Sequence, residues 1–203
     1  MEFEFTRKVR LTFVSPILGA CPQDDKLYDT YIASKAPDTA DIAEEVAMLG
    51  AEQVAEKGKT VFLRKEGKPC LAQHVIKGFF KEATKTLRRV AGSKAGKIKN
   101  YKEQFACGVF INNHQPVIIN FSGKMQSNQR PLRIEDAAGK RTAIASSEQI
   151  SAGATMEFEV VCITKEVHDA IPELLDYGFH HGIGQWRNGD YGRFTWEDIT
   201  SNG

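Results

Sequence analysis

Between Gln73 and Ala91 the chain carries its strongest periodic signal. Ile76, Phe79, Phe80, Ala83, Leu87 and Val90 recur at steps of three and four residues, the apolar stripe of a helix with one buried face. Lys77, Lys81, Lys85 and Arg88 recur the same way on another face. That basic stripe is either a solvated surface or a track for a phosphate backbone. Two segments alternate with period two and read as half-buried strands. In residues 3–14, Phe3, Phe5, Val9, Leu11 and Phe13 alternate with Glu4, Arg7, Lys8 and Arg10. From Thr155 to Ile163, Met156, Phe158, Val160 and Cys162 alternate with Glu157 and Glu159. Further strands are expected at Thr60 to Arg64, Phe105 to Ile111, Val117 to Phe121, Leu132 to Ile134, Thr142 to Ser146 and Tyr191 to Trp196. Asn112, Asn113 and His114 read as the turn of a hairpin. Gly92, Ser93 and Gly96 mark a mobile basic loop, and Ser122 to Arg130 a flexible polar excursion. A second amphipathic helix spans Glu166 to Phe179, with Pro172 demanding a late start or a kink.

With insertions set aside, the order is strand, helix, strand, strand, helix, strand. This predicts an α+β chain with a ferredoxin-like, RRM-like βαββαβ core. The expectation is one domain over residues 1–203, with an inserted acidic, partly helical segment at 22–70 after the first strand and a β-hairpin excursion at 112–150.

The charge is unevenly spread. Lysine and arginine total 27 against 26 acidic residues, a net charge of +1, which gives no global steering toward nucleic acid or membrane. Yet Asp24 to Glu56 is acidic and Arg64 to Lys102 is basic. The two segments either neutralise each other or pair between copies of the chain. Asp38 or Thr39 reads as the cap of a helix through Ile42, Val46, Leu49 and Val54. Asp24, Asp25 and Asp29 are candidate ligands for a divalent cation, although clustered loop carboxylates are more often solvated, and no metal is assigned. The four cysteines, Cys21, Cys70, Cys107 and Cys162, form no CxxC pair, so neither a zinc knuckle nor a redox motif is indicated. Scattered thiols, the absence of an apolar leader and the absence of a membrane-length apolar run predict a cytoplasmic protein with no membrane partner. No Walker or dinucleotide fingerprint is present, and no cofactor is expected.

Gly182 to Phe194 holds Gly182, Gly184, Gly189 and Gly192 together with Arg187, Arg193, Trp186 and Tyr191. Glycine lets a backbone approach a ligand closely, and exposed N–H groups beside arginines make an anion-binding concavity. The alternative is a turn into a last strand, with Trp186 and Tyr191 packed on the core.

Gly182 to Arg193 resembles the C-terminal glycine-rich loop of the RAMP superfamily of CRISPR-associated proteins. His74 to Lys81, with its Lys77-Gly78 step, is similar to the start of that family's first helix, and Arg141 to Thr155 to the approach to its third core strand. The resemblance implies a fold that holds single-stranded RNA by its backbone. The implied contacts are Lys77 and Lys81 on the helix, and Gly182, Gly184, Arg187, Gly189, Tyr191, Gly192 and Arg193 in the loop. Arg130 and Arg133 are candidates to extend the groove. There are departures: His74 stands where the family carries serine, and the acidic insertion has no counterpart.

The leading expectation is RNA binding without catalysis, as a subunit of, or partner to, a CRISPR-type ribonucleoprotein in antiviral defence, beside other RAMP-type subunits or copies of itself. One alternative is a metal-independent endoribonuclease using a histidine, with His74 the candidate beside the loop and His114, His168, His180 and His181 also available. The other is a phage or mobile-element protein that docks on a host defence complex.

Overall fold

The computed structural model describes residues 4–22, 59–136 and 139–200. The expected acidic helix and the cluster of Asp24, Asp25 and Asp29 lie outside the described residues. Along the chain the strands are β1 (Phe5–Phe13), β2 (Ile17–Leu18), β3 (Cys21–Pro22), β4 (Thr60–Val61), β5 (Leu63–Lys65), β6 (Lys68–Leu71), β7 (Val109–Ile111), β8 (Val117–Asn120), β9 (Gln126–Asp136), β10 (Gly139–Ile150), β11 (Thr155–Cys162) and β12 (Phe194–Asp198). The helices are α1 (Gln73–Leu87), α2 (Tyr101–Cys107), α3 (Lys165–Asp176) and the single turn α4 (Gly178–His181). The architecture is mixed α+β. Among the described residues no helix is long and apolar enough to cross a membrane.

Two compact units emerge: Met1–Ile17 with Leu63–Lys124 and Ile150–Gly203, and Leu18–Phe62 with Met125–Gln149. In the first, the sheet runs β12-β1-β11-β8-β6-β5, with β7 also paired to β11. Leu11 lies opposite both Met156 and Trp196, so β1 is hydrogen-bonded on both sides. Its alternation sends Val9, Leu11 and Phe13 into the core. Arg10 points to the other face, donating to Glu157 (2.6 Å) and Glu197 (2.9 Å).

Helices α1 and α3 cover the buried face because their apolar stripes match it. Ile76, Phe79, Phe80 and Ala83 of α1 are buried, as are Val167, Ala170, Ile171, Leu174 and Leu175 of α3. Aromatic rings link the layers in series. Phe13 meets Phe194 (6.3 Å between centroids), Phe194 meets Phe79 (5.4 Å), Phe79 meets Phe80 (5.6 Å), and Phe80 stacks on Phe105 (5.9 Å). Such pairs add about 0.5–1.5 kcal/mol each beyond their buried area.

Several segments differ from the sequence expectation. Helix α1 stops at Leu87, because the chain tightens into three-residue turns (Val90 N–H to Leu87 carbonyl, 2.8 Å) and then passes Gly92 at φ 81°. Val90 is therefore 56% exposed and not part of the core stripe. The basic loop after it is ordered: Lys94–Lys97 form a 3-10 turn, Ala95 is buried, and Glu173 accepts from the Ser93 hydroxyl and the Lys94 N–H. Of the strand expected at Phe105 to Ile111, Val109–Ile111 is strand β7, whereas Phe105 to Cys107 end helix α2, with Phe105 turned inward onto Phe80. Asn112, Asn113 and His114 all take positive φ, as a turn would, yet β7 and β8 do not form a hairpin with each other. Both pair with β11, β7 along Val160 to Cys162 and β8 at Thr155 and Met156. Pro172 sits inside α3, which continues through it, and β12 begins at Phe194, three residues after the expected Tyr191.

In the second unit β9 and β10 form a long antiparallel hairpin, from Gly139 opposite Asp136 to Gln149 opposite Gln126. The polar excursion at 122–130 thus runs into regular strand. Ser147 of β10 pairs in parallel with Thr60 of β4, which pairs in turn with β3.

Phe79→Ala removes the ring that joins β12 to the helices and should cost about 3–5 kcal/mol. Val90→Ala should stay within about 0.5 kcal/mol of the parent, as an exposed site does. Urea denaturation of both variants checks the pair, and equal losses would contradict the observed helix end.

Candidate functional site

The glycine-rich loop begins where α4 ends and is closed at its base by backbone hydrogen bonds. The Ile183 N–H donates to the Gly192 carbonyl (2.8 Å), and the Gly192 N–H to the Pro16 carbonyl (2.7 Å). The Arg193 N–H donates to the Ser15 hydroxyl (2.8 Å), and the Val14 N–H to the Arg193 carbonyl (2.8 Å). This closure explains two of the glycines. Gly182 (φ 74°) and Gly192 (φ 72°) are left-handed and buried, and a Cβ on Gly192 would lie 1.9 Å from the Ile183 oxygen. They serve the loop's own closure. Gly184 and Gly189 are half-buried higher in the loop.

At the tip, Arg187–Gly189 make a 3-10 turn flanked by Trp186 and Asp190, both left-handed at φ 55° and 66°. Such conformations are costly for residues with a Cβ and are held by their surroundings. Here the Trp186 ring stacks on Tyr191, 5.1 Å between centroids and 18° between planes. Trp186 remains 43% exposed, so the pair faces outward and not into the core.

Glu82 of α1 holds the loop from below. Its Oε2 accepts from Arg187 Nη1, and its Oε1 is hydrogen-bonded to His181 Nε2 (3.0 Å). His181 in turn stacks on Tyr177, 5.2 Å away. The carboxylate and its partners are each roughly a third exposed or less, so the clamp is worth about 1 kcal/mol. Arg193 goes elsewhere: its guanidinium lies 6.0 Å from the Phe179 ring centre, and Phe179 is 46% exposed. Of the two loop arginines, Arg187 is the one tied to the helix.

On α1, His74 and Gly78 are exposed while Lys77 and Lys81 are half-buried. Lys77 Nζ donates to the Ala106 carbonyl (3.2 Å) and sits 5.5 Å from the Phe110 ring centre. Burial, and then the neighbouring Lys81 charge, pushes its ammonium below the usual lysine range, with the Cys107 side chain opposing. The loop's clamp on α1 lies at Glu82, eight residues past His74, or about 12 Å along the helix axis. The ion pair thus joins the loop to α1 about two turns beyond His74. Arg130 is 8% exposed and donates to the Ser147 hydroxyl (3.0 Å) inside the second unit, which makes it a structural side chain and not a groove extension. The Arg133 side chain lies outside the described residues. Among the described residues no group of three His, Cys, Asp or Glu side chains could hold a metal ion.

Glu82 and Tyr177 were not expected at the site, and His181 only as one of the alternative catalytic histidines. The signal for Glu82 was its solitary negative charge within the basic stripe of α1; that for His181 was adjacency to the loop.

No family model matches the chain, and no curated protein matches it in sequence. Its fold resembles solved structures. A chain from the cryo-EM structure of the Type III-B Cmr-beta bound to cognate target RNA superposes with a TM-score of 0.54 at 13% identity, over 96% of this chain and 60% of that one. The present chain therefore spans less than two thirds of that neighbour's length. Cmr6 from Pyrococcus furiosus gives 0.48 at 10% identity over 96% of this chain and 99% of its own, and a chain of a Type IV-B CRISPR complex gives 0.47 at 12% over 97% and 91%.

Glu82→Ala should release Arg187 and His181 together. Amide hydrogen exchange across residues 183–191 should quicken several-fold while β1 and β11 keep their protection, and unchanged exchange would show that the clamp does not order the loop. Lys77 should titrate below the lysine norm and move back up in Lys81→Met. Since its folded pKa is lowered, Lys77 favours the fold more as pH rises through that value. NMR titration of the Lys77 ammonium group checks both statements.

Proposed function

We propose that this chain is a RAMP-like RNA-binding protein that holds a single strand by its backbone, without catalysis, as a subunit of or partner to a CRISPR-type ribonucleoprotein. The observation that carries the reading is the outward Trp186–Tyr191 stack, set beside Arg187 on a loop clamped to the basic helix α1. Flat aromatic faces beside cations suit unpaired bases and phosphates, the combination by which single-stranded nucleic acid is bound without regard to sequence. Strand order supports a βαββαβ ferredoxin-like core: β12, β1 and β11 are neighbours, with β7 and β8 on the far side of β11, and α1 and α3 on the connections. The Type III-B neighbour was solved bound to its cognate target RNA.

Each residue has a role in this reading. Lys77 and Lys81 neutralise phosphates along α1. Arg187 offers a phosphate the guanidinium donors that Glu82 leaves, since the fork carries five and the clamp uses Nη1. Trp186, 43% exposed beside Tyr191, takes a base on its exposed surface. Arg193 supplies a second cation at the loop's base, above Phe179. Gly182 and Gly192 act indirectly, by shaping the loop.

Fluorescence anisotropy with a labelled single-stranded RNA across a salt series tests it. Trp186→Ala should weaken binding by about 1–3 kcal/mol at every salt concentration, the cost of one missing stack. Arg187→Ala and Lys77→Ala should weaken it too, and each should flatten the log–log salt slope by about 0.7 for every phosphate no longer neutralised. Affinity unchanged in all three variants would refute the proposal. The same RNA should stay intact on prolonged incubation in EDTA, with or without His74→Ala, whereas cleavage abolished by His74→Ala would replace this reading with that of a metal-independent nuclease.

A further inference from the structure

Glu82 divides its two oxygens between partners of different kind. Arg187 carries a permanent charge, whereas the imidazole of His181 is charged only once it has taken up a second proton. A carboxylate can only accept, so the 3.0 Å contact places the proton of neutral His181 on Nε2 and leaves the lone pair of Nδ1 for the second one. Among the described residues nothing is hydrogen-bonded to Nδ1. The ring itself is held in place. It stacks on Tyr177, 5.2 Å between centroids and 30° between planes, and the His181 N–H donates to the Tyr177 carbonyl (3.1 Å). With its side chain 20% exposed, it is partly shielded from water yet still exchanges protons with it.

The charges around this ring come from three elements. Helix α1 contributes Glu82, with Lys81 and Lys85 beside it. The loop contributes Arg187 and, further along, Asp190 and Arg193, of which Arg193 lies over Phe179. The end of α3 and α4 contribute Tyr177 and the exposed His180, whose ring meets Phe179 and pairs with no carboxylate among the described residues. In the free protein a second proton on His181 thus meets Arg187 and the two lysines as like charges, opposed by a carboxylate that Arg187 already shares. A phosphate on Arg187 alters that balance. It adds negative charge on the far side of the guanidinium and draws on the same cation that Glu82 holds, so the carboxylate is left more fully to His181.

We infer that His181 is a positioning residue for the RNA site, coupled to it through Glu82: a phosphate on Arg187 draws a proton from solvent onto Nδ1 of His181, and that proton eases the hold of Glu82 on Arg187. This rests on the RNA-binding reading above and adds its dependence on pH. Binding and protonation favour each other to the same extent, because the coupling is reciprocal. The sign follows. The bound state holds more protons than the free one, so affinity is greatest on the acid side of the histidine range and falls as pH rises through it.

Isothermal titration calorimetry of the full chain with an oligouridine, from about pH 5 to about pH 8, tests this coupling over the range in which histidine changes charge. Repeating it in two buffers of different ionisation enthalpy reads Kd and proton uptake together, and neither uracil nor the phosphodiester titrates there. The parent should bind several-fold more tightly at the acid end and take up a fraction of a proton. His181→Gln keeps a neutral N–H donor for Glu82 but cannot take a second proton, so it should lose both the acid gain and the uptake. His180→Gln should keep both. In the parent, which needs no variant to fold, NMR should show the His181 ring resonances moving toward their protonated positions when oligouridine is added at fixed pH. If the parent binds without pH dependence, or His181→Gln retains it, the coupling is overturned while the RNA-binding reading stands. His181→Gln weakening binding equally at every pH also overturns it, because the histidine would then serve only the loop's structure. If the parent binds at no pH, the functional reading fails first and this inference with it.

Discussion

The series of rings from Phe13 through Phe194, Phe79 and Phe80 to Phe105 is the constraint on which the rest of the first unit depends. It ties the first strand, the last strand and two helices to one another through residues far apart in sequence. Because Phe79 and Phe80 must both point inward, the rotation of α1 about its axis is fixed. His74, Gly78, Lys81 and Lys85 are then directed away from the core, wherever their own preferences lie. The same ring of Phe194 sits over Gly178, where a Cβ would come within 2.0 Å of its tip. Packing thus sets the junction of α3 with α4 as well as the start of β12, and the glycine-rich loop is the segment spanned between those two fixed ends.

Within that frame, one carboxylate decides how the loop stands. Glu82 is the acidic residue of α1, and it satisfies Arg187 and His181 with its two oxygens. Lys81 and Lys85 beside it on α1 make the position electrostatically favourable for a carboxylate. Arg187 at Glu82 orients the 3-10 turn, and the turn orients Trp186 and Tyr191. The modest strength of a half-exposed ion pair suits this arrangement. The pair fixes the aromatic tip in the absence of a ligand, yet it leaves guanidinium donors that a phosphate oxygen can engage without displacing the carboxylate.

Period and apolar spacing revealed β1, α1, α3 and β11, because each buries one face against the same sheet or helix layer and repeats the demand every two or every three to four residues. Where the deciding contact is a single tertiary one, the sequence was silent or misleading. Phe105 reads as part of a strand by its neighbours, but its inward turn onto Phe80 makes the segment a helix. Val90 continues the stripe of α1 on paper, although the chain has by then tightened toward Gly92. The hairpin expected around Asn113 failed for a different reason. Its positive-φ residues make a sharp local bend, but β11 is long enough to accept a strand on each side of that bend. At the site, composition marked the loop, while its internal division was invisible: Gly182 and Gly192 answer to backbone closure, and Trp186 to its stack on Tyr191. The division of labour between the arginines required Glu82 and Phe179, which lie far from both in sequence or on a neighbouring turn.

The net charge of +1 conceals a segregation by face. On the side of the sheet away from the helices, Arg10 is matched by Glu157 and Glu197 across neighbouring strands. At the last strand Arg7 pairs with Asp198, whose carboxyl is held below the usual range first by the Thr200 hydroxyl and also by Arg7, against the opposing effect of burial. Lys165 is matched by Asp169 one turn along α3. These charges are satisfied in place and contribute little field at a distance. Among the described residues Lys81 and Lys85 form no ion pair, and the carboxylate nearest in sequence, Glu82, is already engaged with Arg187. The outward face of α1, next to the loop, thus carries two lysines whose charges no neighbouring carboxylate matches. A surface of this kind attracts a polyanion over about one Debye length, roughly 8–10 Å at ordinary ionic strength, and does nothing beyond it. In the proposed RNA-binding reading, orientation of a strand falls to that helix face and the aromatic tip beside it, and not to the charge of the chain as a whole.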